Sequence, residues 1–364
     1  MTYPCLKTSA ICSEITPMHS ARFSLSCLIV TLSAVALLAI SADGVWDDYT
    51  SVAKSYGTGV VAAVIFLIPI QFVLSTVYKI YRERGTTLSQ AERLAWYKSY
   101  LRNYPWLNVL VATVALIAIL SSFTVYKGSV VGAQGYGFDA MFIAWDRMFF
   151  AGNDGWVVTH SIFDTATATM WIDFLYHPTF FPMLLVYLLA ITSTGLTALR
   201  QTYMLCYLAS WLVIGMIGAG TLHSAGPVFD GVLYGDGSTF GPLLDRLQAQ
   251  LDAGGGPVTA APIREYLLRL HENGEVRFGG GISAMPSMHM VLVFLWVFPA
   301  WNLSRAFGII IAIYAGIIWV GSVHLGWHYF VDGLVSLVVV GVLWRIAGHI
   351  VGLYGQPQVI RATT

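Results

Sequence analysis

Hydrophobic positions along this 364-residue chain come in long unbroken runs, without the alternation of a half-buried strand or the single apolar stripe of a soluble helix. Eight runs approach the roughly 20 residues that carry a helix across a bilayer. They lie at about 23–42, 57–78, 105–126, 180–199, 201–222, 286–303, 306–324 and 329–350. In hydrocarbon every backbone amide needs an internal partner, so runs of this length predict helices. The pattern predicts an all-α polytopic membrane protein with about eight transmembrane helices. The first run also has features of a secretory signal, since Arg22 precedes it and Ser41-Ala42-Asp43 follows. A retained span is the reading adopted here, and the rest of the topology is the same either way.

Composition agrees. Hydrophobic residues make up 57% of the chain and charged residues 10%, where a soluble domain carries about 25% charged. The formal charge is zero and no long basic tract occurs, which excludes a nucleic-acid partner of the electrostatic kind. Cys5, Cys12, Cys27 and Cys206 show no metal-ligand spacing, and the last two fall inside apolar runs as small buried hydrophobes. Lys79, Arg82, Arg84, Arg93, Lys98 and Arg102 form the densest basic cluster, so the segment between spans two and three is expected in the cytoplasm. Counting onward, Arg200, Arg305, Arg345 and Arg361 also fall on the cytoplasmic side. Residues 127–179, residues 223–285 and the turn around His324 to His328 then face outward, which predicts an integral protein of the plasma or inner membrane. The 127–179 segment holds Asp139, Asp146, Asp154, Asp164 and Asp173, with Trp145, Trp156 and Trp171 suited to short interfacial helices. The 223–285 segment is glycine-rich and polar, with amphipathic stretches near 242–252 and 262–272.

Two local patterns carry chemistry. The first is Gly279-Gly280-Gly281-Ile282-Ser283-Ala284-Met285-Pro286-Ser287-Met288-His289, at the mouth of span six. Glycines let backbone amides approach an anion, and Ser287 with the amides after it would open a helix N-terminus, a natural phosphate seat. His289 would stand in the first turn, with Pro286 suited to that turn as well. The alternative is a glycine-rich connector with an interfacial histidine. The second pattern is Ser322-Val323-His324-Leu325-Gly326-Trp327-His328-Tyr329-Phe330-Val331-Asp332. His328 and Asp332 are four apart and share a helix face, so the carboxylate can fix the imidazole tautomer and leave the other nitrogen as nucleophile or base. Asp332 interrupts a nearly continuous apolar run, where an ionisable residue is costly and points to function. The alternative is a structural Asp–His pair. Span six runs inward from His289 and span seven returns to His324, so all three histidines fall at one membrane face. His223 ends span five at that face too and, with His324, is a further candidate for contact with phosphate.

Pro286-Ser287-Met288-His289 resembles the second motif, Pro-Ser-x-His, of the type 2 phosphatidic acid phosphatase superfamily, and His328-Tyr329-Phe330-Val331-Asp332 resembles its third, His-x-x-x-Asp. The wording is closest to the branch of the fungal inositol phosphorylceramide synthases, with sphingomyelin synthases as cousins. Asp146-Arg147-Met148-Phe149-Phe150-Ala151-Gly152 and Trp171-Ile172-Asp173-Phe174-Leu175-Tyr176 are similar to that branch's outer segment. The resemblance implies a six-helix phosphatase-type core in residues 105–350 (spans three to eight), with outer segments 127–179 and 223–285. Residues 1–104 would be an added two-span hairpin with its basic loop, and 351–364 a cytoplasmic tail. It further implies His328 as the nucleophile forming a phosphohistidine, Asp332 orienting it, His289 as general acid, and Ser287 and Gly281 at the phosphate. No metal and no cofactor are implied. The partners would be a phospholipid donor and a lipid or polyol acceptor. The superfamily's first motif departs, because no Arg-Pro dipeptide occurs, and Gly321 and Ser322 stand where the third motif usually carries Ser-Arg. Arg147, Arg246, Arg264, Arg269 and Arg277 are the candidates to replace those cations.

The function expected is transfer of a phosphorylated headgroup, for example inositol phosphate, from a phospholipid to a lipid alcohol. Hydrolysis of a phosphatidic acid or polyprenyl phosphate type monoester is the alternative. A proton-coupled transporter is a second, disfavoured by the lack of inverted repeats and of mid-membrane polar groups. A zinc site from His223, His289, His324 and His328 is a third, but it leaves Pro286, Ser287 and Asp332 unexplained. The topology is tested by single cysteines: a membrane-impermeant thiol reagent applied outside should label one placed at Ser238 or Gly255 and spare one at Thr87. The opposite labelling would put the histidines on the cytoplasmic side.

Overall fold

The computed structural model describes residues 17–41, 43–82, 89–193, 198–252 and 259–353, and among these the regular structure is helical, with no β-strand. Eight apolar helices correspond to the eight predicted spans. They are α1 (Pro17–Ser41), α2 (Trp46–Arg82), α4 (Trp106–Tyr126), α8 (Phe180–Thr192), α9 (Ala198–Ser210), α12 (Met288–Leu303), α13 (Arg305–His324) and α14 (Phe330–Val351). Six of these segments are long and apolar enough to cross a membrane, and α8 and α12 are shorter apolar helices. The predicted end of span four falls partly at 194–197, and the expected tail at 354–364, both outside the described residues. The predicted cytoplasmic loop between spans two and three holds α3 (Gln90–Asn103), opened by Ser89 and Glu92 in a reciprocal capping box.

Helices α4 and α9 are the centre of the bundle. Two thirds of the spanning window of each is buried inside the protein, against 11% for α2. Both continue beyond their α-helical part through π-helical stretches, Lys127–Val131 after α4 and Trp211–Gly218 after α9. Such stretches are rare and gather at functional sites. Helix α1 packs on α4, α9 and α14, and its Phe23, Cys27 and Leu38 are buried in the main core. Helix α2 packs on α4 and α8. Outward faces carry Leu25, Ile29, Ile65, Phe66, Ile310, Ile313 and Val338, the exposure expected of lipid-facing surface.

The 127–179 segment folds as the short helices α5 (Asp139–Phe149), α6 (Gly155–Ile162) and α7 (Ala166–Tyr176), and the 223–285 segment as α10 (Gly241–Asp252) and α11 (Ala260–Glu272). Trp145 and Trp171 are exposed, as interfacial anchors would be, while Trp156 is partly buried. Three buried aspartates tie these segments to the bundle. Asp139 accepts from the amides of Ala225 and Gly226, each at 2.9 Å, and from the Tyr329 hydroxyl at 2.7 Å. Asp146 accepts from the amides of Phe330 at 2.8 Å and Val331 at 3.0 Å, the first two residues of α14. Asp173 accepts from the amide and hydroxyl of Thr259 and the amide of Ala260, at the start of α11. A carboxylate there meets otherwise unpaired helix-terminal N–H groups and the positive end of the helix dipole.

Asp146→Ala leaves two N–H groups at the start of α14 without their acceptor, and a buried donor left unmade costs about 1–3 kcal/mol. The variant should lose stability on that order in detergent. Asp154→Ala, which removes only the partly exposed pair with Arg147, should change stability by less than about 1 kcal/mol. Heat denaturation followed by tryptophan fluorescence checks both, and equal losses would mean that Asp146 is no anchor.

Candidate active site

The turn between α13 and α14 is closed by one carbonyl. Ser322 O accepts from the amides of Trp327 at 2.9 Å and His328 at 3.2 Å. His328 then stands just before α14, with Asp332 one turn along. His328 Nδ1 donates to Asp332 Oδ2 at 3.0 Å, and the amide of Tyr329 donates to the same oxygen at 3.2 Å. Asp332 is fully buried. The predicted i, i+4 pair is therefore formed, and it fixes the tautomer that leaves Nε2 with its lone pair. Burial, and Lys127 nearby, lower the His328 pKa, so the ring is held neutral. A neutral imidazole with a carboxylate behind it is the state a nucleophile or base requires.

His328 opens into a cavity of about 440 Å³. Four basic groups line it: His328, His289, His177 and Lys127. His289 is in the first turn of α12, as expected, and stacks on Tyr176 with ring centres 4.6 Å apart. Gly281 also lines the cavity. Its φ is +86°, and a Cβ there would come within 2.8 Å of Lys127 Cγ, so only glycine lets this loop lie against Lys127. The rest of the wall is mainly apolar, with Phe123 from the last turns of α4, Trp211 and Gly215 from the π-helical stretch after α9, and Tyr266 and Phe278 from the 223–285 segment. Tyr56 of α2 reaches the same wall, and its hydroxyl is 3.0 Å from Thr124 Oγ1.

Several sequence candidates lie elsewhere. The Ser287 hydroxyl is fully buried and caps α12, accepting from the amide of Met290 at 3.3 Å, because an N-cap oxygen is the nearest acceptor for that helix end. Pro286 lies before the cap, outside the helix's first turn, though it does line the cavity. His324 is outside the cavity: it stacks on His160 at 3.8 Å, and its Nε2 lies 2.9 Å from Thr169 Oγ1. His223 is also outside it, edge-on to Phe138. The five arginines proposed for the missing cations are not among the lining residues. Arg147 pairs with Asp154 and Arg277 with Glu275. Arg246 donates to the Asp164 carbonyl and Arg264 to that of Val228, while Arg269 lies over the Tyr266 ring. Asp139, Asp146 and Asp173 of the 127–179 segment bond backbone amides of the fold. No group of three or more His, Cys, Asp or Glu among the described residues is arranged to hold a metal ion.

Sequence reasoning missed Lys127 and His177. The signal for Lys127 is that a lone lysine ending an uncharged apolar helix is a costly ionisable group that points to function. His177 stands four residues after Asp173, the same spacing as the pair in α14. Its Nδ1 lies 2.8 Å from Asp173 Oδ1.

A model of the PAP2 superfamily matches residues 140–346, more than half of the chain and all of both histidine motifs. This chain belongs to the PAP2 superfamily. No curated protein and no solved structure matches it. Membership points to an enzyme acting on lipid phosphoesters, and a cavity bounded by three histidines and a lysine, with apolar walls, has the electrostatic and hydrophobic character such a substrate needs.

In this PAP2-superfamily chain Lys127 is the one lysine among the residues that line the cavity. Lys127→Met should cut turnover of any phosphorylated lipid the wild type accepts by about 100- to 1,000-fold, the effect of removing one donor to developing charge. Gly281→Ala, which displaces Lys127 without deleting it, should lower turnover in the same direction by a smaller factor. Steady-state rates in detergent check both, and an unchanged Lys127→Met rate would remove Lys127 from the site.

Proposed function

We propose that the protein is a membrane-embedded phosphotransferase that carries a phosphorylated headgroup on His328. In this reading Nε2 attacks the phosphorus of a glycerophospholipid, the bond to the diacylglycerol oxygen breaks, and His289 supplies that oxygen with its proton. Asp332 stabilises the charge that develops on the ring, as the carboxylate of a catalytic triad does. Lys127 sits against the phosphate oxygens, with the amides around Gly281. The observation that carries the proposal is His328, hydrogen-bonded to Asp332, sharing one cavity with His289 and Lys127.

Transfer is favoured over hydrolysis by the character of the walls. Ile263, Tyr266 and Leu267 of α11 line the cavity together with Phe229 and Phe278, an apolar surface that suits a lipid alcohol better than bulk water. The resemblance of His328-Tyr329-Phe330-Val331-Asp332 to the inositol phosphorylceramide synthase branch supports inositol phosphate as the group moved. The basic cluster around α3 supports an outward-facing site.

His328→Ala and Asp332→Ala should abolish turnover while the protein still folds in detergent. His289→Ala should act most strongly on donors with poor leaving groups. Purified protein given a phosphate-labelled phospholipid, with and without a lipid alcohol, separates the two outcomes. A new phospholipid whose appearance depends on the acceptor supports transfer. Inorganic phosphate released from a monoester, indifferent to every acceptor, would replace it with a lipid phosphatase.

A further inference from the structure

His177 and Asp173 form a second histidine–carboxylate pair on the same cavity, and neither sequence motif contains it. His177 stands at the C-terminal end of α7. Its Nδ1 lies 2.8 Å from Asp173 Oδ1 as an ion-pair contact, and both ring nitrogens are buried without a hydrogen bond of good geometry among the described residues. The ring lines the cavity and meets the indole of Trp327, the neighbour of His328, edge-on with centres 5.7 Å apart. On its other side Tyr176 stacks on His289. His177 thus shares the cavity with the two motif histidines, with an unpaired nitrogen in a space that otherwise receives substrate. A buried polar atom left unmade is costly, and at a cavity wall its natural partner is a ligand.

Asp173 keeps its charge there. Burial opposes ionisation, but His177 beside it and the amide and hydroxyl of Thr259 outweigh burial and hold its carboxyl below the usual range. An ionised Asp173 beside Nδ1 favours the tautomer that leaves Nε2 with its lone pair. The same carboxylate holds the first residues of α11, whose Ile263, Tyr266 and Leu267 line the cavity. The pair is therefore bound to the element that covers the site.

We infer that His177 is the general base that activates the acceptor in the second half of the reaction, with Asp173 as its positioning residue. This rests on the phosphohistidine reading above. The acceptor hydroxyl gives its proton to His177 Nε2 as its oxygen forms the new bond to phosphorus. The bond from phosphorus to His328 Nε2 breaks, and its electron pair returns to the ring. His289 and His177 then divide the proton transfers, one to the departing oxygen and one from the arriving oxygen, and the proton taken up by His177 returns to His289 to close the cycle.

The test uses the full-length protein in lipid nanodiscs, phosphatidylinositol with a radiolabelled phosphate, and ceramide as the lipid alcohol. In His177→Gln the label should reach His328 at the wild-type rate and stay there, while acceptor-dependent turnover falls by about 100-fold or more, the usual contribution of a general base. Hydroxylamine, which attacks without a base, should release that label from His177→Gln as fast as from wild type. A residue that only supported the fold would slow labelling as well and would not be rescued. Asp173→Asn should give the same pattern in weaker form. If His177→Gln turns over at the wild-type rate with an unchanged pH profile, the inference is overturned and the role of His328 is untouched. If the wild-type protein never acquires label on His328, the phosphohistidine reading falls, and this one with it.

Discussion

The site depends on the bond between one carboxylate and the start of one helix. Asp146 accepts from the amides of Phe330 and Val331, the first two N–H groups of α14, which have no partner inside the helix. Water would satisfy them in a soluble protein. Here the helix start is buried, and the acceptor must come from the chain. Because His328 lies two residues before Phe330 and Asp332 two after it, the same contact sets the height and direction of the histidine–carboxylate pair. Asp139 repeats the arrangement at Ala225, Gly226 and the Tyr329 hydroxyl, and Asp173 at Thr259 and Ala260. The 127–179 segment is in this sense a frame, with an acid wherever the fold has a buried cluster of donors.

A consequence is the charge pattern of the cavity. The acids around it turn their oxygens towards backbone amides or the backs of histidine rings, and what remains on the wall is basic: three imidazoles and one ammonium. A phosphate group entering such a space meets donors without meeting a carboxylate. Attraction is strong there because apolar walls keep water, and its screening, at a distance. Lys127 lines the cavity and the arginines expected to supply its cations do not, and the π-helical stretch at Lys127 sets where along α4 its side chain emerges. In the complementary wall, the glycine at 281 keeps a Cβ away from that side chain.

What could be read from residues alone was what depends on local chemistry. Eight apolar runs of bilayer length determine eight helices, because unpaired amides are intolerable in hydrocarbon. A histidine and an aspartate four apart at a helix start determine a hydrogen-bonded pair, because helix pitch brings them together. The glycine loop and Ser287 determine a capped N-terminus with His289 in its first turn. What tertiary structure decided was which groups meet across the bundle. Ser287, His223 and His324 were candidates for phosphate contact in the chain, yet a cap, a ring contact with Phe138 and a stack on His160 occupy them outside the cavity lining. Lys127 and His177 looked like an edge and a connector, and packing turns both onto the same wall. The physical reason is the range of the forces. Hydrophobic length and helix pitch act within a few residues and leave their mark in sequence, whereas the meeting of α4, α7, α12 and the start of α14 is set by the packing of surfaces far apart along the chain.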